Sequence, residues 1–129
     1  MAGASSMREV CYLIGTNGDV LWQDSGTAHA LLDSRARWEA IWSLRSELAE
    51  IAHTHPLGPL ALSTEDRTTM DAVWAALGRD IVFSVVTRAA MIRISAGGKT
   101  ERVNQEPAWA KAIRFDSGLK SDEIGRAHV

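Results

Sequence analysis

Residues 48–66 read LAEIAHTHPLGPLALSTED, and the fold turns on how this stretch divides. Leu48 to His55 is apolar and closes on an alternating His-Thr-His, which reads as a short strand. Pro56 stops it, and Gly58-Pro59 makes the next stretch a loop. Ser63 followed three residues later by Asp66 is close to a capping box, with Asp where Glu or Gln is preferred. A helix therefore opens at Ser63. Met70, Val73, Trp74 and Leu77 form its apolar stripe, and Gly78 can end it in the left-handed region.

Upstream, Glu9–Thr16 (EVCYLIGT) and Asp19–Gln23 (DVLWQ) flank Asn17-Gly18, a strong hairpin signal. Gly26 to Leu32 reads as a connection or a further short strand. Asp33 or Ser34 can cap a helix running to about Glu47, with Trp38, Ile41, Trp42 and Leu48 as its buried stripe. Downstream, Ile81–Thr87 is β-branched and nearly continuous, the pattern of a central strand, and Ala90–Ser95 alternates and pairs with it. Gly97-Gly98 turns into Thr100–Asn104, and a short helix follows around Pro107–Ile113. Strands and helices interleave, yet two hairpins are present. That predicts an α/β domain of the α+β kind, a mixed sheet between helices. The domain spans 8–115, with 1–7 and 116–129 expected as flexible termini.

The chain has 129 residues, the size of one domain with a real core. Its net charge of −2 gives no global attraction to nucleic acid or anionic membrane. No apolar run approaches a membrane span, and no leader pattern opens the chain. The lone cysteine excludes an internal disulfide. These features predict a cytoplasmic protein.

The chemistry concentrates in the pattern H-x-H-x7-S-x-x-D. Residues i and i+2 of a strand share a face, so His53 and His55 can aim both imidazoles at one point. Asp66 would lie in the first turn of the next helix, whose positive end favours the ionised carboxylate, and it shares a face with Met70 and Val73. Two imidazoles and one carboxylate make a three-ligand zinc set with a fourth position open to water, as hydrolysis requires. Such a site needs a base near the metal but not on it. Glu9, at the start of the first strand, is the natural candidate. Ser63 can cap its helix and also donate to an oxyanion.

Glu9-Val10-Cys11 ahead of Leu13-Ile14-Gly15, with His53-Thr54-His55-Pro56, Ser63 and Asp66, resembles the JAMM motif of the JAB/MPN-domain metalloproteases over about residues 8–95. The resemblance implies one zinc ion per chain on His53, His55 and Asp66, with Glu9 as general acid/base and Ser63 as oxyanion stabiliser. It implies a curved sheet flanked by helices, without the helix that precedes the glutamate strand in the family. It also implies cleavage of an amide or isopeptide bond, often at the C-terminus of a ubiquitin-like protein. The short loops between Asp24 and Asp33 and between Leu77 and Arg79 favour a bacterial-type ubiquitin-like or sulfur-carrier protein over ubiquitin itself. An activating or conjugating enzyme encoded nearby would fit that role. Tyr12 stands where the family usually has Gly, and its bulk is expected to narrow the groove. Two alternatives belong to the same resemblance, a non-catalytic MPN scaffold and a RadC-type protein. The latter typically reads His-Asn-His-Pro-Ser-Gly, and Thr54 and Leu57 depart from it.

Of the residues outside the motif, Cys11 is expected to pack as a small hydrophobe rather than act as a nucleophile. His29 and His128 are expected at the surface or in packing. The five tryptophans read mostly as core, with Trp109 a candidate partner contact in a weakly packed region.

Overall fold

The structure, a computed structural model, describes residues 7–119. Asn17-Gly18 forms the expected tight turn, with Gly18 at φ 89°, between β1 (Val10–Gly15) and β2 (Val20–Ser25). A connection containing no strand leads to α1 (Arg35–Ser43), capped by the Ser34 side chain. Then come β3 (Leu48–Thr54), α2 (Thr64–Leu77), β4 (Val82–Val86), β5 (Met91–Ile94), β6 (Thr100–Arg102) and α3 (Ala108–Asp116).

The six strands form one mixed sheet in the order β2-β1-β3-β4-β5-β6. Only β3 and β4 run parallel, joined through α2, and every other pair is antiparallel. The period of two along the strands divides the core. Cys11, Leu13, Ile51, Phe83 and Val85 cluster with Ile41 of α1 and Met70 and Val73 of α2. Val10, Tyr12, Ile14, Ala52 and Val86 cluster with Trp109, Ala110 and Ile113 of α3. The sheet thus lies between α1 and α2 on one face and α3 on the other.

Four expectations need correction. The α1 helix ends at Ser43 rather than near Glu47, because Leu44–Glu47 turns the chain directly into β3. Its buried stripe is Arg37, Ala40 and Ile41, while Trp42 is exposed beneath the Arg45 guanidinium. Arg37 tolerates burial because Asp24 pairs with it and the Leu32 carbonyl accepts from it. Trp109 is buried in the α3 cluster, so it presents no surface to a partner. The chain also stays packed beyond 115. Asp116 accepts a hydrogen bond from Tyr12, and Ser117 and Leu119 are fully buried. The remainder of the expected flexible termini, 1–6 and 120–129, and His128 with it, lies outside the described residues.

Candidate metal centre

The β1–β3 register pairs Cys11 with His53. Continued by two residues, that antiparallel register sets Glu9 opposite His55. The His55 amide donates to the Val86 carbonyl at 2.9 Å, so the ladder with β4 reaches the second histidine. Both imidazoles leave β3 on the face that carries α1 and α2 and are buried.

The loop after Pro56 returns α2 to this strand end. The Ser63 side chain accepts from the Asp66 amide at 3.0 Å, and Asp66 Oδ2 accepts from the Ser63 amide at 2.8 Å, a complete capping box. The same Oδ2 lies 3.2 Å from Nε2 of His53 and 3.2 Å from Nε2 of His55, and the two Nε2 atoms are 2.9 Å apart. An Asp at the third helical position therefore does two jobs. It closes the cap and completes a triangle of donor atoms.

Each atom of this triangle has a hydrogen-bonding partner, yet three electron-rich atoms converge on one point. The Pro59 carbonyl, 2.9 Å from Nδ1 of His55, can only accept, which assigns the proton of the neutral ring to Nδ1 and leaves a lone pair on Nε2. Asp66 Oδ2 directs a second electron pair at the same point. His53 Nε2 has at most one proton to share between them. A cation at that point would satisfy all three. Tetrahedral zinc with ligands at about 2.0–2.1 Å has ligand–ligand edges of about 3.3–3.4 Å. The observed separations of 2.9, 3.2 and 3.2 Å are all shorter than those edges, so an ion would have to spread the three atoms slightly.

Glu9 is the second carboxylate here. Donor atoms of Glu9, His53 and His55 all lie within 4.8 Å of one another in a buried group that could hold a metal ion. Asp66 Oδ2 lies 3.2 Å from each Nε2, so Asp66 as well as Glu9 is placed to be a third donor beside the two rings. Burial raises the Glu9 carboxyl above its ordinary range; His53 and His55 pull it back and Asp66 pushes it further up. Burial would also raise Asp66, but hydrogen bonds from His53 and His55 overcome this and hold it well below the usual carboxylate range. Burial would lower His55, and the bonds to Asp66 and the Pro59 carbonyl reverse this and raise it.

The sequence pattern brings together all five expected residues: Glu9, His53, His55, Ser63 and Asp66. Glu9, His55, Ser63 and Asp66 line one cleft of about 840 Å³. Residues 29–33, in the connection after β2, form another wall. The Glu9 amide donates to the Thr27 carbonyl and the Glu9 carbonyl accepts from the Gly26 amide, and a Cβ on Gly26 would lie 2.2 Å from the Ala30 carbonyl oxygen. This wall carries His29, which is exposed as expected but also lines the cleft and acts electrostatically on Glu9. No motif spacing pointed to His29. Tyr12 does not narrow the groove. It stands an odd number of residues from Glu9, so it faces α3 and donates to Asp116. Cys11 is buried in the core, and burial pushes its thiol up to about 12, consistent with packing.

The chain matches no known family model and no curated protein. Among the described residues, no helix is long and apolar enough to cross a membrane.

Proposed function

We propose that this protein is a zinc-dependent peptidase or isopeptidase of the JAB/MPN type. The observation that carries the reading is the triangle of His53 Nε2, His55 Nε2 and Asp66 Oδ2, with an elevated, buried glutamate beside it. Zinc bound there would supply Lewis acidity and bring a water molecule's pKa towards ~7. Asp66 holds the ligand set square to α2 through its bond from the Ser63 amide. Glu9 takes the proton of the attacking water and delivers it to the departing amine nitrogen, and its raised affinity for a proton suits both steps. The Ser63 hydroxyl accepts from the Asp66 amide and keeps its own proton to donate to the carbonyl oxygen as charge develops there.

The substrate class rests on the motif's resemblance. It points to an amide or isopeptide bond at the C-terminus of a ubiquitin-like or sulfur-carrier protein, which would enter the cleft beside Glu9, Ser63 and Asp66. One observation favours a second reading. Glu9 is near enough to His53 and His55 to bind the ion itself, which would close the fourth position and make the site a non-catalytic module. A panel of carrier-protein fusions incubated with zinc-loaded wild type and His53→Ala separates the two. Cleavage by wild type alone, with one zinc per chain, supports the enzyme. Tight zinc without turnover of any fusion supports the closed site, and no zinc binding defeats both.

A further inference from the structure

The mechanism leaves unused a buried polar chain directly behind the site. Thr54 lies between the two histidines, and its side chain takes the opposite face of β3. The Val10 amide donates to Thr54 Oγ1 at 2.9 Å, and Thr54 Oγ1 lies 2.9 Å from Ser117 Oγ. Ser117 Oγ donates to the Arg8 carbonyl, and the Arg8 amide donates to the Ser117 carbonyl at 3.0 Å. Both side chains are fully buried.

The proton directions are fixed. A carbonyl only accepts, so the Ser117 hydroxyl proton is committed to Arg8. The proton between the two hydroxyls must then come from Thr54, which in turn accepts from Val10. Every donor in the chain is used once. Its two ends close on Arg8 and Val10, the residues either side of Glu9. Glu9 itself is pinned from the front by Gly26 and Thr27.

We propose that Thr54 and Ser117 form a positioning clamp that sets the Glu9 carboxylate against the two histidines, so that the end of α3 controls the placement of the proton carrier. The inference rests on the reading of Glu9 as that carrier. The clamp does not touch the ligands: β3 keeps its register through β1 and β4, and α2 supplies Asp66 from the other side of the sheet.

The test compares Thr54→Val, Thr54→Ser and Ser117→Ala with Ser84→Ala, which removes a different buried hydroxyl on the α3 face, one that donates to Glu50. Three quantities are read well below each variant's Tm: Co²⁺ affinity, amide hydrogen exchange at Val10, and kcat and KM on a cleaved carrier fusion. Thr54→Val and Ser117→Ala should keep Co²⁺ affinity within about threefold and lower kcat about tenfold or more at near-constant KM. In Thr54→Val, Val10 exchange should rise about tenfold or more. Thr54→Ser should restore kcat, and Ser84→Ala should leave all three unchanged. Loss of Co²⁺ affinity, an unchanged kcat, or an equal kcat loss in Ser84→Ala would overturn the clamp. If wild type cleaves no fusion, the enzymatic reading fails separately. The clamp is then judged on Val10 exchange and retained Co²⁺ affinity, and stable exchange in Thr54→Val overturns it.

Discussion

Asp66 is asked to cap a helix and to hold a metal, and Asp66→Asn separates the two. An Asn side chain keeps an oxygen that can accept from the Ser63 amide, so the cap survives. What disappears is the negative charge, both near the helix N-terminus, about 0.3–1 kcal/mol, and beside His53 and His55, which favour the ionised carboxylate. For a chain of 129 residues the unfolding entropy is about 0.27 kcal/mol/K, so ~1 kcal/mol moves Tm by about 4 °C. The metal-free variant should therefore melt at least about 1–4 °C below wild type. Zinc at a thousand times its Kd stabilises wild type by about 4.1 kcal/mol, a rise of roughly 15 °C. Loss of a direct ligand exceeds the ~10–100-fold cost of an outer partner. At the same zinc concentration the rise in Asp66→Asn should then shrink to about 5 °C or less. Ser63→Ala gives the mirror result: it loses the acceptor for the Asp66 amide, about 1 kcal/mol or ~4 °C, and keeps the full zinc response. Scanning calorimetry with and without zinc, alongside metal analysis of the purified proteins, measures all of these. A full zinc response in Asp66→Asn, together with its loss in Glu9→Gln, would refute the assignment and make Glu9 the third ligand.

Glu9→Gln should bind zinc as wild type does while hydrolysis of a cleaved fusion falls by ~10²–10⁴; full activity in a zinc-loaded Glu9→Gln protein would remove the proton carrier from the mechanism. Metal-free stability should respond to pH through His55, whose folded pKa lies above its ordinary value of 6.5. That contribution is complete below 6.5 and fades as pH rises past the folded value, so metal-free Tm should fall as pH rises above 6.5 and the His55→Ala slope should be flatter. Zinc competes with the same protons, so the zinc-induced rise should grow over that range; equal slopes with and without zinc would count against shared ligands. Cys11, buried and with its thiol pushed up to about 12, should resist iodoacetamide at pH 8 in the folded protein and react fully on unfolding. Fast native labelling, followed by mass spectrometry, would contradict its place in the core.

The elements legible in the sequence are those governed by local rules. Asn17-Gly18, the strand alternations and the Ser63 cap depend on neighbours a few residues away, and the structure follows them. The α1 stripe was misplaced because its orientation depends on a distant residue. Nothing within the helix shows that Arg37 has Asp24 to pair with, and without that partner a buried arginine would be too costly to expect. Trp109 was misjudged for the same reason, since its burial comes from Val10, Tyr12 and Ala52, far away in the sequence. The five site residues were legible because strand period and helix capping dictate their directions. The Pro59 carbonyl and His29 were not, because loops carry no periodicity.

Strand alternation also explains how so short a chain can build this site. Glu9, His53 and His55 occupy one face of two paired strands, while Val10 and Thr54 occupy the other. The face bearing the chemistry needs only one contribution from elsewhere, and Asp66 delivers it as part of a cap that α2 requires in any case. The opposite face is free to fix the same backbone without reaching into the cleft, and α3 does so through Ser117. The bulk of Tyr12 follows the same division. It fills the α3 side, where volume helps packing, and leaves the groove open. On the proposed reading, the placements of the ligands and of the proton carrier rest on different elements, so a single substitution should disturb one and spare the other.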